Sequence, residues 1–298
     1  MMTEEFAKEF ARKREEVENV ISLYLPPEEG FQKTVIAASN YSVLNGGKRL
    51  RPMILRETYR LFDGKGRVAE PFMAAIEMIH SSSLVHDDLP CMDNDTLRRG
   101  NPSTWYKYGE AMGVLAGDAL MIYAFETAAK AFGMTHDMKS VGDSIRILAE
   151  KTGIYGMIGG QTLDVEKSGQ NLGPEELDYI QRNKTGALLE ACMMIGATLA
   201  GASREDIRTC EKIANRIGVA FQIRDDILDV TSDNETMGKS VHSDERNQKT
   251  TFVSLYGMDS ALETVEKLSD DAMRLLDSLT GENAFLKELF EALISRNN

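Results

Sequence analysis

The 298-residue chain sets 34 Lys and Arg against 47 Asp and Glu, a formal net charge of −13. That sign excludes the non-specific attraction to nucleic acid or anionic lipid that depends on excess basic charge, so any anionic ligand must be held by local basic clusters and metal ions. With 42% hydrophobic and 27% charged residues, the composition is that of a globular chain, neither disordered nor fibrous. Cys91, Cys192 and Cys210 are scattered without a CxxC pair and predict free thiols in a reducing compartment. The N-terminal stretch MMTEEFAKEFARKREE is charged throughout, unlike a secretory signal, so a cytoplasmic protein is expected. The most apolar long segment, residues 185–202, is interrupted by Glu190 and rich in Gly and Ala. No stable membrane insertion is expected from it.

Phe6, Phe10, Val17, Val20, Ile21 and Tyr24 recur at near-helical spacing until Pro26 and Pro27 stop the pattern, which predicts a first amphipathic helix. A second is expected over residues 31–44, ending at Asn45-Gly46-Gly47. GGKRLRP (46–52) follows, crowding Lys48, Arg49 and Arg51 at a helix start. Helix N-termini already favour anions, so cations there suit a visiting anion; a solvated basic turn is the plainer alternative. A long helix is expected over 67–88, on which Met73, Ile76, His80, Ser83 and Asp87 share one face. Further helices are predicted over 110–132, 137–165, 174–200 (opened by Pro174 with Glu175 and Glu176) and 203–230, where Ser203 and Asp206 resemble a capping box. Residues 231–249 read as a polar loop, and helices over 251–279 and 283–295 finish the chain. No alternating run is long enough for a sheet, so the fold class is all-α. Without a linker-like stretch or a fixed-period repeat, one domain over 1–298 is favoured.

The informative stretch is LVHDDLPCMDNDTLRRG (84–100), where an apolar run ends in Asp87, Asp88, Asp93, Asn94 and Asp95 and then Arg98 and Arg99. Hard oxygen ligands suit Mg²⁺ that is shared with substrate phosphates. The adjacent guanidinium forks suit phosphate oxygens. A second acidic cluster, FQIRDDILDV (221–230), places Asp225 and Asp229 four residues apart on a helix, with Gln222 three residues before Asp225. Like charges so placed need a cation, supplied either by Arg224 or by a metal.

These motifs, with GGQTLD (159–164), NKTG (183–186), and GKS followed by NQKTT (247–251), resemble in content and order those of the trans-isoprenyl diphosphate synthases, the polyprenyl synthetases of farnesyl and geranylgeranyl type. The resemblance spans essentially the whole chain. It implies a bundle of about ten core helices around a central cavity, the isoprenoid synthase fold, and a homodimer. It also implies Mg²⁺-dependent head-to-tail condensation of isopentenyl diphosphate with an allylic diphosphate, giving a C15 or C20 product. By that resemblance Asp87, Asp88, Asp93, Asp225, Asp226 and Asp229 hold three Mg²⁺ ions. Arg98, Lys184, Gln222, Lys239 and Lys249 contact the allylic diphosphate, and Lys48, Arg51, His80 and Arg99 the isopentenyl diphosphate. Thr185 and Gln222 turn dipoles towards the allylic cation. Ser82, with Ser83, occupies the place that sets chain length, where an aromatic residue is frequent.

The sequence departs from the pattern at His242, where Gly is usual, and at Val253, where Pro often follows the TT pair, so the lid around Lys239 is expected to differ in shape. A class I terpene cyclase would share the aspartate clusters but handle one diphosphate. An inactive subunit of a heteromeric synthase would be expected to have lost one cluster, and here both are complete.

Overall fold

The computed structural model describes residues 3–231 and 250–295. Thr3 caps the first helix, its hydroxyl accepting from the Phe6 amide at 3.1 Å. Helix α1 (Glu4–Leu23) follows, and then α2 (Lys33–Leu44), α3 (Leu50–Leu61) and α4 (Glu70–Asp87). A hairpin of two-residue strands, β1 (Leu97–Arg98) and β2 (Asn101–Pro102), leads to α5 (Thr104–Tyr108) and α6 (Glu110–Ala129). The chain continues as α7 (Met138–Thr152), α8 (Met157–Glu166), α9 (Pro174–Ile180), a π-helical turn (Gln181–Gly186), α10 (Ala187–Leu199) and α11 (Arg204–Thr231). Helices α12 (Phe252–Tyr256), α13 (Met258–Ser278) and α14 (Ala284–Ile294) complete it. The expected all-α architecture is what is found, with that hairpin as the one sheet among the described residues.

One apolar core runs from Phe6 to Ile294, with α4 and α10 buried on nearly every side. The most extensive packing joins α4 with α6, α11 with α13, and α3 with α10. Glu190, the charge that interrupts the apolar segment, is neutralised inside by Lys151 and accepts from Asn215 at 2.9 Å. Among the described residues, the helix long and apolar enough to cross a membrane by length and composition is α6 with its 3₁₀ extension, Glu110–Gly133. Its inner side packs on α4 and α2.

Several expected helices are divided. The 137–165 helix breaks between Thr152 and Met157 in a turn that requires glycine at 156, where a Cβ would lie 2.1 Å from the Lys151 carbonyl oxygen. The 251–279 helix breaks at Gly257, whose φ of 81° suits glycine. The 110–132 helix ends at Ala129 in a 3₁₀ turn, and the 174–200 helix contains the π turn. Ser203 makes half of the expected capping box: its hydroxyl accepts from the Asp206 amide at 3.1 Å but donates to the Asp206 carboxylate at 2.8 Å.

Candidate active site

Asp87 is the last residue of α4 and Asp88 its cap. Both carboxylates therefore sit at the negative end of a helix dipole, where anions are disfavoured unless cations approach. The chain folds back at once, the Asp93 amide donating to the Asp87 carbonyl at 2.8 Å, so the exposed Asp93 joins the same cluster. Burial pushes the Asp87 carboxyl up to about 6, against the pull of Lys184 and with a further push from Asp93. Asp87 also accepts from Gln161 at 2.8 Å. Asp88 is shifted upward as well, by burial first, although Arg98 Nε lies 2.9 Å from Oδ1 and pulls the other way.

Two neighbouring arginines are sent apart by the hairpin. Leu97 pairs with Pro102 and Arg98 with Asn101, leaving a two-residue turn at Arg99 and Gly100 with φ of 55° and 79°, the left-handed pair typical of tight hairpins. Arg98 turns to Asp88 and, at 3.4 Å, Asp95. Arg99 instead donates to the Gly46 carbonyl and lies over Gly47, where a Cβ would come within 2.8 Å of the guanidinium carbon. Gly47, at φ 125°, is thus required both by its backbone and by that approach. Asn45 ties the hairpin to the end of α2, donating to the Arg98 carbonyl at 3.1 Å and accepting from Asn101 at 2.7 Å.

The resulting cleft, about 620 Å³, is lined by Lys48, Arg51, His80 and Arg99 together with Arg49 and Glu77. All four residues assigned by resemblance to one diphosphate therefore meet. The Arg51 Nε is buried and finds no hydrogen-bond partner, although a buried guanidinium N–H ordinarily has one. Burial, reinforced by Arg51, Arg99, Arg49 and Arg98, holds the His80 imidazole well below its usual range, so it is neutral at pH 7. Arg49 has a different fate from its neighbours in GGKRLRP. At φ 52° it turns inward and is 2% exposed, bonding Glu77 at 2.6 Å, Glu18 at 3.2 Å and the Val43 carbonyl at 2.7 Å. This strut fixes the loop that presents Lys48 and Arg51.

The facing wall is the π turn and α11. A second cleft, about 230 Å³, is lined by Asp164, Lys184, Gln222, Asp225 and Asp226, with residues 167–170 and Thr250 and Thr251 at its rim. Lys184 binds Asp164 at 2.6 Å. Burial opposes its charge, but Asp164, Asp87 and Asp93 outweigh this and raise its pKa. Gln222 donates to the Thr185 hydroxyl, which brings together the two dipoles expected to face the allylic cation. Asp226 accepts from the Phe252 amide at 2.8 Å, anchoring α12, while Leu172 donates to the Thr250 hydroxyl at 3.0 Å. Asp229 follows one turn after Asp225 on α11. Lys239, Lys249 and His242 lie outside the described residues.

No group of three His, Cys, Asp or Glu side chains among the described residues could hold an ion unaided. Mg²⁺ does not demand that: it is typically held by one or two carboxylates plus substrate phosphates and water. Asp93 and the desolvated Asp87, both acting on Lys184, which shares the second cleft with Asp225 and Asp226, have the chemistry for this mode.

Ser82 is 0% exposed, its hydroxyl donating to the Gly117 carbonyl at 2.9 Å across the α4–α6 contact. Ser83 donates to the His80 carbonyl. Sequence reasoning grouped Arg49 with Lys48 and Arg51 for a visiting anion, whereas its guanidinium is buried against Glu77; it gave no role to Glu77, Gln161 or Asp164. The latter two lay in a motif already visible as GGQTLD, but their partners are distant in sequence.

Comparison with known proteins agrees with this geometry. The polyprenyl synthetase family profile matches residues 32–291. The farnesyl diphosphate synthase of Geobacillus stearothermophilus is 39% identical over 303 residues, covering 100% of this chain and 99% of that protein. The Escherichia coli enzyme of the same name is 41% identical, covering 90% and 91%. A farnesyl/geranylfarnesyl diphosphate synthase from Zymomonas mobilis superposes with a TM-score of 0.87 at 31% identity, covering 98% of this chain and 99% of that one. The geranyltransferase of Helicobacter pylori, solved with magnesium and isoprenyl diphosphate, gives 0.81 at 33% identity, covering 99% and 98%. Two clefts, one basic and one acid-rimmed, in an all-helical chain whose relatives match it from end to end, place this protein in the polyprenyl synthetase family.

Proposed function

We propose that the protein is a trans-prenyltransferase that joins isopentenyl diphosphate head-to-tail to an allylic diphosphate. The observation that carries this reading is the basic cleft, with its unpartnered Arg51 Nε, standing apart from the acid-rimmed cleft. One diphosphate site would serve a cyclase; two serve a condensation.

The isopentenyl diphosphate sits against Lys48, Arg51, His80 and Arg99, with the neutral imidazole of His80 as a hydrogen-bonding partner rather than a fourth cation. The allylic diphosphate sits against Lys184, Arg98 and Gln222, joined by Lys239 and Lys249. Three Mg²⁺ ions held by Asp87, Asp88, Asp93, Asp225, Asp226 and Asp229 would supply electrophilic assistance to its departure. The allylic C–O bond breaks, with diphosphate leaving on the cationic groups preorganised around it. Thr185 and Gln222 face the carbon that becomes cationic, and the packed helices exclude water that would quench it. The isopentenyl double bond then attacks to form the new C–C bond, and a proton passes from the resulting cation to an oxygen of the released diphosphate, regenerating an alkene. Incubation with isopentenyl diphosphate, each allylic starter and Mg²⁺, followed by chromatography, tests this. A chain lengthened by five carbons is expected, and consumption of the allylic diphosphate without isopentenyl diphosphate would refute it.

The product is proposed as C15 or C20, with Ser82 and Ser83 bearing on the limit. The chain is also proposed to work in the cytoplasm, as a single domain over 1–298 and as a homodimer. Leu115 and Ile122, two turns apart on α6, are both exposed apolar residues of the kind that marks association surfaces. Sedimentation should show a dimer that Ile122→Glu weakens.

A further inference from the structure

We propose that α8 is the brace of the allylic cleft, with Asp164 and Gln161 acting as positioning residues for Lys184 and Asp87. The proposal rests on the two-diphosphate reading above and deepens it by adding residues to which that reading gives no role.

Gln161 and Asp164 are three apart on α8, hence on one face. From that face one side chain reaches each wall of the site. Gln161 donates to Asp87 at the end of α4 at 2.8 Å, and Asp164 accepts from Lys184 in the π turn at 2.6 Å. These partners lie 74 and 20 residues away in sequence, so a short helix fixes the separation between the acidic cluster and the leaving-group lysine. The backbone contact is equally close. A Cβ on Gly160 would fall 2.3 Å from the Lys184 amide nitrogen and 2.8 Å from the Asn183 carbonyl carbon, so only glycine lets α8 lie against the π turn. On the other side a Cβ on Gly218 of α11 would meet the Gly186 Cα at 3.0 Å. The π turn is thus clamped between α8 and α11. Widened turns of this kind are frequent at functional sites because they re-aim side chains.

A lysine has many rotamers, and a mobile ammonium contributes less to a preorganised leaving-group site than one held in place. Asp164 and Lys184 both line the second cleft, so the pair sits where the diphosphate arrives. Gln161 stands to Asp87 as outer-shell partners stand to ligating carboxylates, orienting the oxygen that remains available.

The test is calorimetric binding of the thiodiphosphate analogue of geranyl diphosphate, which does not ionise, in the presence of Mg²⁺. Wild type, Asp164→Asn, Lys184→Gln and the double variant are compared. Asp164→Asn is expected to weaken binding about tenfold, within the range for outer-shell partners. The double variant is expected to bind no more weakly than Lys184→Gln, and the KM of Asp164→Asn for isopentenyl diphosphate should stay within about twofold of wild type. Asp164→Glu, which keeps the charge, should restore part of the affinity, and it serves if the Asn variant does not fold. Gln161→Leu should raise the Mg²⁺ concentration for half-maximal analogue binding by on the order of tenfold. Additive losses in the double variant, or unchanged or tighter analogue binding by Asp164→Asn, would overturn the proposal; tighter binding would make Asp164 a competitor for the lysine. Wild type that neither binds the analogue nor extends an allylic starter would instead overturn the two-diphosphate reading.

Discussion

Asp87→Asn should separate catalysis from stability in opposite directions. Raising this carboxyl from 3.8 to about 6 corresponds, at about 1.4 kcal/mol per tenfold change in proton affinity, to roughly 3 kcal/mol paid to ionise it in the folded protein without metal. The folded state holds the proton more tightly than the unfolded chain between those two values, so stability falls as pH rises through them. Above about pH 6 the full cost is present, and below 3.8 it vanishes. Asparagine keeps an oxygen to accept from Gln161 while removing the charge. In EDTA at pH 8 the Asn variant should therefore unfold at a higher temperature than wild type, by several degrees if each kcal/mol is worth about 2 °C in a chain of this size. At pH 4 the two should nearly coincide. Mg²⁺ with inorganic pyrophosphate should then raise the wild-type Tm more than that of the variant, and condensation should fall in the variant by several orders of magnitude. Scanning calorimetry across pH, with and without EDTA, measures all of this. A wild type as stable as the variant at pH 8 in EDTA would refute the claim that Asp87 is held at an electrostatic cost which the metal relieves.

Other perturbations address the rest of the site. Arg51→Gln should raise KM for isopentenyl diphosphate by about 10- to 100-fold, from the loss of a charge-assisted contact, and leave KM for the allylic starter nearly unchanged in steady-state assays. Glu77→Gln keeps an oxygen for the buried Arg49 but removes the carboxylate at 2.6 Å, leaving Glu18 at 3.2 Å to balance its charge, and should cost about 3–5 kcal/mol in urea unfolding; a cost below about 1 kcal/mol would mean that the strut is not structural. Ser82→Tyr replaces a fully buried residue against the Gly117 carbonyl, so the phenol must push α6 aside or displace its neighbours on α4. Chromatography should show a shorter product, and an unchanged distribution would mean that Ser82 does not bear on chain length.

The helical class and both charge clusters were legible because each rests on local pattern: apolar periodicity for the helices, and acid collected at the end of an apolar run for the site. What could not be read depends on neighbours far along the chain. Arg49 and Arg51 are chemically alike and two residues apart, yet one is a buried strut and the other faces the cleft, a difference set by a backbone angle of 52° at Arg49. The π turn is invisible in the 174–200 periodicity because Gly160 and Gly218 press on it from two other helices. GGQTLD was visible as a string, but Gln161 and Asp164 acquire meaning only when α4 and the π turn are brought to the same face. The break at Gly153 to Gly156 was missed for a related reason: glycine inside a periodic run is ambiguous until the carbonyl it must avoid is known.

The turn at Arg99 and Gly100 couples the two halves of the site as a fixed spacer. Arg98 and Arg99 are consecutive, so the offset between the cation turned to the acidic cluster and the cation turned to the basic cleft is set by one peptide unit and the hairpin register. Slipping that register by one residue would reverse which arginine faces which cleft. Length changes between positions 98 and 102 should therefore be less tolerated than in any other exposed loop of the protein, because they would alter the spacing of two reacting molecules rather than the shape of either pocket.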